Sequence, residues 1–251
     1  MKAMELHSVE NQRIAVIDVA RGLALMAMTA FHFTWDLANF RVIDPQIMFQ
    51  PFAVWSARSI AATFLFLAGA GLFLAHEKSI NWRGFGWRFA QVGGAALLIS
   101  AATWFATPDA FIFFGILHQI AFASLAGLAF LRLPWWAVLA SGLLVLSSRT
   151  HLQTALLDAP WWWWSGLSQV IPVSNDYVPV FPFSAMVLLG IAAAKIGRIT
   201  GVLANIAQFD SDNGATRFLQ FLGRHSLVYY LLHQPVIIAV LYGFLWLSGR
   251  I

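Results

Sequence analysis

Residues 13 to 36 read RIAVIDVARGLALMAMTAFHFTWD, and the reading of this stretch decides the fold. From Ile14 to Phe33 the run is apolar enough to cross a bilayer, yet Asp18, Arg21 and His32 stand inside it and Asp36 lies just beyond. Ionisable groups in a membrane span are costly and by default mark function. Asp18 and Arg21 are spaced i, i+3 and share a helix face, where opposite charges neutralise each other, so a plain ion pair at a helix end is one reading. His32 and Asp36 are spaced i, i+4. That spacing lets a carboxylate orient an imidazole and raise its basicity, as a general base requires, with a capped polar residue at a helix end as the alternative. At about 1.5 Å per residue the two pairs lie roughly 20 Å apart along the axis, so each belongs to a different membrane face.

Composition extends this reading to the whole chain. Of 251 residues, 60% are hydrophobic and only 10% charged, with 12 Trp and 22 Phe, whereas soluble domains carry roughly 25% charged residues. The chain therefore reads as an integral membrane protein. Hydrophobic stretches recur from end to end and leave no room for a soluble domain larger than a loop, so residues 1 to 251 form one transmembrane domain. The runs suit helices of about 20 residues rather than alternating outer-membrane strands of about 10. The expected fold is all-α, a polytopic transmembrane helical bundle. The absence of cysteine excludes disulfides, a thiolate nucleophile, cysteine-ligated metal and an acyl-cysteine intermediate. A net charge of +4 spread among loops fits topology signals and anionic lipid better than nucleic acid, for which there is no motif. The first span is too long for a signal peptide, contains Asp18 and Arg21, and runs into FHFTWD rather than a small-residue cleavage site, so it is expected to be retained.

Working outward, residues 1 to 13 read as a polar tail, followed by a first span at about 14 to 35. The second span, about 52 to 75, carries Arg58 and the segment FLFLAGAGLFLA, whose Gly69 and Gly71 permit close helix approach. After the positive loop HEKSINWRGFGWR comes a third span at about 88 to 105, then a turn at Thr107, Pro108 and Asp109. A fourth span, about 111 to 131, holds His118 and Gln119. Arg132, Leu133 and Pro134 form a very short turn into a fifth, about 135 to 148, so these two are expected to be antiparallel neighbours. From Arg149 to Pro182, four consecutive tryptophans at 161 to 164 and a run of prolines predict an interfacial or re-entrant segment anchored at the membrane surface. A sixth span at about 181 to 197 ends in KIGR, a polar stretch includes Asp210 and Asp212, and a seventh span covers about 226 to 247. With the N-terminus cytoplasmic, the inner side receives Lys2, Arg13, Lys78, Arg83, Arg88, Arg132, Lys195, Arg198, Arg217 and Arg224. The outer side keeps only Arg41, Arg149 and Arg250, and the C-terminus is external.

On this layout Arg58 and His118 fall one to two turns below the external face, near the depth of His32, and the three are expected to share a cavity. His233 and Gln234 lie near mid-membrane, where Pro235 loosens the helix so that backbone groups can line a cavity. A hydrogen-bonded packing role is the alternative for any single histidine. Each histidine stands alone on its span, with carboxylates only at Asp36 and Asp109 nearby, so no metal is expected. There is no GxSxG elbow, P-loop or Rossmann fingerprint to support an acyl-serine hydrolase or a nucleotide hydrolase.

The segments RIAVIDVARGLALMAM, GAGLFLA, FFGILHQIA and LGRHSLVYYLLHQPV together resemble the bacterial branch of the heparan-alpha-glucosaminide N-acetyltransferase catalytic-domain family. The resemblance runs from about Arg13 to Leu247. It implies a membrane-embedded acyltransferase that moves an acetyl or other acyl group from acyl-CoA to an extracytoplasmic sugar amine or hydroxyl, in a bacterial inner membrane. The family's lysosomal members use a histidine in the loop after the first span; here that loop offers Arg41, Ile43 and Asp44 and no histidine. His32, oriented by Asp36, is therefore the expected base, with an acyl-histidine intermediate as the less favoured variant. Arg58, His118, Gln119, His233 and Gln234 are the substrate-binding candidates, Arg58 and His118 steadying the oxyanion or the acceptor. Asp18 and Arg21 are candidates for the nucleotide end of the CoA, or else hold the cytoplasmic half in register. Expected partners are acyl-CoA, a glycan or amino-sugar acceptor and membrane lipids, with a homodimer allowed. The rival readings are a transporter or lipid-handling protein, for which intramembrane His, Asp and Arg are equally expected, and a catalytically silent partner subunit.

Overall fold

The opening apolar run folds as one helix, α1 (Ala15–Asn39), and every regular element after it among the described residues is also helical. In the computed structural model residues 15–208 and 213–250 are described. The expected polar tail at 1 to 13 and the stretch holding Asp210 and Asp212 lie outside the described residues. The chain packs as two compact units, Met1–Ala57 with Gly197–Ile251, and Arg58–Ile196.

In the first unit α1 ends in a turn whose Arg41 takes a left-handed conformation, φ 57°. Asp44 then accepts from the Gln46 N–H at 2.9 Å and opens a short 3-10 turn, Pro45–Phe49, with proline where the missing N–H costs nothing. Met48 from that turn and Ala53, from the first turns of α2 (Pro51–His76), close over Ala38, with Phe31 and Ile43 against them.

The C-terminal part of this unit supplies three more helices, numbered below after those of the second unit: α7 (Val202–Ala207), α8 (Gly214–Arg224) and α9 (Ser226–Leu247). Asn213 starts α8 by accepting from the Thr216 N–H at 2.8 Å, which satisfies one of the orphan donors of the first turn. α8 lies directly on α1, because Gly22 leaves room for the Leu219 backbone and Gly223 leaves room for the Asp18 backbone; a Cβ at either glycine would meet a carbonyl oxygen. Leu222 is buried, whereas Phe218 and Phe221 are exposed. α9 then runs back along α1 in the same sense, with Tyr229 beside Thr29, His233 beside His32 and Gln234 beside Asp36.

The second unit contains the rest of α2, then α3 (Trp82–Ala106), α4 (Ile116–Gly127), α5 (Trp135–Leu152) and α6 (Val180–Ile199) through Ile196. α2 and α6 cross at small residues: Gly69 faces the Val187 backbone, and Gly190 faces the Phe66 backbone. Such small-residue contacts let helices approach without a bulky side chain between them. α3 is capped by Asn81, which accepts from the Gly84 N–H at 2.9 Å, and ends at Thr107 before Pro108. α4 starts where α3 ends, with Ser100 of α3 bonded to both Ile112 and His118. Its far end is continued by the 3-10 turn Leu128–Phe130 and reaches the opposite end of the unit, where Lys195 Nζ donates to the Leu131 and Leu133 carbonyls at 2.7 and 2.9 Å and lies over the Phe73 ring.

Among the described residues five helices are long and apolar enough to cross a membrane: α1, α2, α3, α6 and α9. Two of the seven expected spans correspond to shorter or more polar elements. The expected span at 111 to 131 is the 12-residue α4 with its 3-10 extension, and the one at 135 to 148 extends to Leu152 with Arg149 and His151 in its last turn. The expected interfacial segment holds two 3-10 turns, Ala155–Leu157 and Pro160–Ser165. Trp163 donates its indole N–H to the Asp158 carbonyl at 2.9 Å, Trp164 packs between Phe114 and Phe122, and Trp161 stands exposed. Tyr177 O–H donates to the Trp163 carbonyl at 2.7 Å, and burial pushes its phenol above the usual tyrosine range, partly offset by the positive Arg149. The Phe181–Pro182 peptide is cis.

Candidate functional site

In the first unit α1 and α9 bring four of the expected residues together. The rings of His32 and His233 are 5.0 Å apart between centroids, inclined at 62°. Asp36, one helical turn past His32, is 3% exposed, and Gln234 Nε2 donates to both its carboxylate oxygens at 2.9 Å. No hydrogen bond joins Asp36 to His32 among the described residues. The carboxylate therefore bonds to the neighbouring helix instead of to the imidazole on its own. A buried carboxylate needs donors, and α9 supplies one at the right height because Gln234 follows His233 on the side facing α1.

The protonation pattern of His233 follows from its partner. Its Nδ1 lies 2.6 Å from the Tyr230 carbonyl, which can only accept, so Nδ1 carries the hydrogen and Nε2 is the bare nitrogen. That Nε2 is buried and has no hydrogen-bond partner, and neither has Gln234 Oε1. Two further residues absent from the expected set hold the helices at this height. Thr29 Oγ1 donates to the Leu25 carbonyl at 2.8 Å, so the Tyr229 hydroxyl, also 2.8 Å away, is the donor to Thr29. The Tyr229 ring stacks on His233 at 6°, with centroids 6.4 Å apart. Tyr229 and His233 are spaced i, i+4, and that spacing in YYLLHQP was the signal that would have found the tyrosine.

At the other end of α1, Asp18 is 1% exposed and accepts from Arg21 Nη1 at 3.3 Å, with Arg224 Nε of α8 at 3.7 Å. The expected i, i+3 pair is thus joined by a second guanidinium from a distant part of the sequence. A buried carboxylate held by two arginines is strongly disfavoured from losing either. A groove of about 510 Å³ opens nearby between Val16 and Val19 of α1, Val202 and Asn205 of α7, and Thr216 and Gln220 of α8. His32, Asp36, His233 and Gln234 do not line it.

The candidates of the second unit have different partners. His118 Nδ1 accepts from the Gly115 N–H at 3.2 Å, which puts the hydrogen on Nε2, facing Ser100 Oγ at 3.2 Å; the Ser100 hydroxyl in turn donates to the Ile112 carbonyl at 2.5 Å. Both ring nitrogens thus serve the start of α4, as does Asp176, which accepts from the Ile116 N–H at 2.8 Å. Gln119 is fully buried, donates to Ser184 Oγ at 2.7 Å and leaves Oε1 without a partner. Arg58 lies on α2 with an exposed side chain. Among the described residues no group of three or more His, Asp or Glu side chains is placed to hold a metal.

The family model described as "Heparan-alpha-glucosaminide N-acetyltransferase, catalytic" matches residues 13–235. No curated protein and no solved structure matches the chain.

Proposed function

The chain belongs to the family of the heparan-alpha-glucosaminide N-acetyltransferase catalytic domain, and from that premise we propose that it transfers an acetyl group from acetyl-CoA to an amine or hydroxyl of a sugar on the far side of the membrane. The observation that carries this reading is the meeting of His32 and His233 at 5.0 Å inside the matched region. His32 is the general base. The acceptor nitrogen or oxygen adds to the thioester carbonyl carbon, a C–N or C–O bond replaces the C–S bond, and the acceptor's proton passes to His32. That proton then goes to the departing thiolate, leaving free CoA. Asp36, one turn from His32, is held by Gln234 of α9 and so ties the two helices together at the height of the base.

Arg21 and Arg224, gathered on Asp18, present guanidinium groups suited to the phosphates of the donor. His118 and Gln119 stay with the packing of α4. The lysine and arginine distribution supports a cytoplasmic N-terminus and an external C-terminus. The parallel course of α1 and α9 supports an odd number of spans between them, a condition that α2, α3 and α6 satisfy with or without the pair α4 and α5.

The test is incubation of the purified protein with labelled acetyl-CoA and a panel of amino-sugar and sugar acceptors. Label moves to an acceptor in the wild type, and His32→Ala slows that transfer by about 10²–10⁴-fold, the usual contribution of a general base. Undiminished transfer by His32→Ala would remove the proposed base, and absence of any transfer to the panel would count against the activity itself.

A further inference from the structure

We infer that His233 is a positioning residue for the His32 base: its bare Nε2 takes a hydrogen bond from His32 and thereby decides which His32 nitrogen keeps the lone pair. The inference rests on the reading of His32 as base, and its geometry stands apart from that reading. The Tyr230 carbonyl holds the hydrogen of His233 on Nδ1, so Nε2 can only accept. It is buried with no partner, in a residue 8% exposed. An orphaned buried acceptor costs about 1–3 kcal/mol, which favours any donor that can turn toward it.

Three donors around His233 are already engaged elsewhere. The Tyr229 hydroxyl donates to Thr29, the Thr29 hydroxyl to Leu25, and the Gln234 amide faces Asp36. His32 is different: its ring faces His233 across 5.0 Å and makes no hydrogen bond among the described residues. At that separation, ring nitrogens turned toward each other come within about 3 Å, the hydrogen-bond range. The terminal torsion of histidine is soft, so the turn is cheap. A neutral imidazole that donates from one nitrogen must present the other as a lone pair. The carbonyl of Tyr230 and the ring of His233 thus fix the tautomer of His32.

The tautomers can be read directly. The full chain is purified in lipid nanodiscs with 15N-labelled histidine at mildly alkaline pH, where the rings are neutral, and signals are assigned by single substitutions. His233 is expected to show a protonated Nδ1 and a bare Nε2, and His32 a single tautomer. His233→Phe keeps a ring but removes the acceptor, and turns the His32 signal into a mixture of both tautomers; His233→Gln, which offers a carbonyl oxygen, restores one. Transfer falls in kcat more than it rises in KM for His233→Phe, and recovers in part for His233→Gln. A wild-type His233 protonated on Nε2 overturns the inference, a measurement that needs no variant to fold. So does an unchanged His32 tautomer in folded His233→Phe, which would leave the acetyltransferase reading standing. The expected tautomer change in a protein that transfers no acetyl group would support the inference and defeat that reading instead.

Discussion

At the scale of single residues, Asp36 shows how a buried charge is kept. It is 3% exposed, and its hydrogen bonds come from one amide on α9. Gln234→Met preserves much of the volume and removes those donors, leaving the carboxylate uncompensated; it is expected to lower stability by about 1–3 kcal/mol, read as a shift of the thermal melt in detergent. Asp36→Asn in the same background removes the charge and should recover part of the loss, because a neutral amide is cheaper to bury than a carboxylate. If Gln234→Met melts like the wild type, the bond between α1 and α9 at this height contributes nothing. The residues of this site were half legible: His32, Asp36, His233 and Gln234 stand out as polar groups in apolar runs, whereas their pairing does not. The i, i+4 spacing of His32 and Asp36 predicts a bond within one helix, but the carboxylate bonds to a residue 198 positions away.

At the scale of elements, glycines divide into those that hold helices together and those that do not. A Cβ at Gly190 would press on the Phe66 backbone, and backbone cannot yield as a flexible side chain can. Gly190→Ala is expected to cost about 1–3 kcal/mol through overpacking between α2 and α6. Gly93 on α3 faces open space within 4 Å, so Gly93→Ala should leave stability unchanged or raise it by about 0.5–1 kcal/mol as a better helix former. Equal melts for the two variants would contradict the close crossing. Gly69 was legible as a contact glycine from its small-residue surroundings. The matching roles of Gly22 and Gly223 on α1 and α8 were not, because a lone glycine carries no periodic signal.

At the scale of the whole molecule, the number of crossings depends on α4 and α5. α4 begins at the end of α3, and its 3-10 extension finishes where Lys195 holds the 131 to 133 turn, so the two together cover the length of their unit although α4 itself has only 12 residues. Since the chain has no cysteine, single cysteines report their side without background. With seven spans and a cytoplasmic N-terminus, a membrane-impermeant maleimide added outside intact cells labels Asp109→Cys and spares both Ser79→Cys and Leu133→Cys. Labelling of Leu133→Cys from outside would leave five crossings and return α4 and α5 to the outer side. By itself the amino-acid sequence determined that this protein is helical and membrane-embedded, where its long spans lie, and which ionisable side chains are costly enough to matter. These follow from composition and run length, which each segment carries alone. Only the tertiary structure decided that Asp36 bonds Gln234, that Arg224 joins Asp18, that His118 caps its own helix and that His233 faces His32. Such pairings depend on how helices far apart in the chain rotate and cross, and no single apolar run encodes its neighbour's rotation.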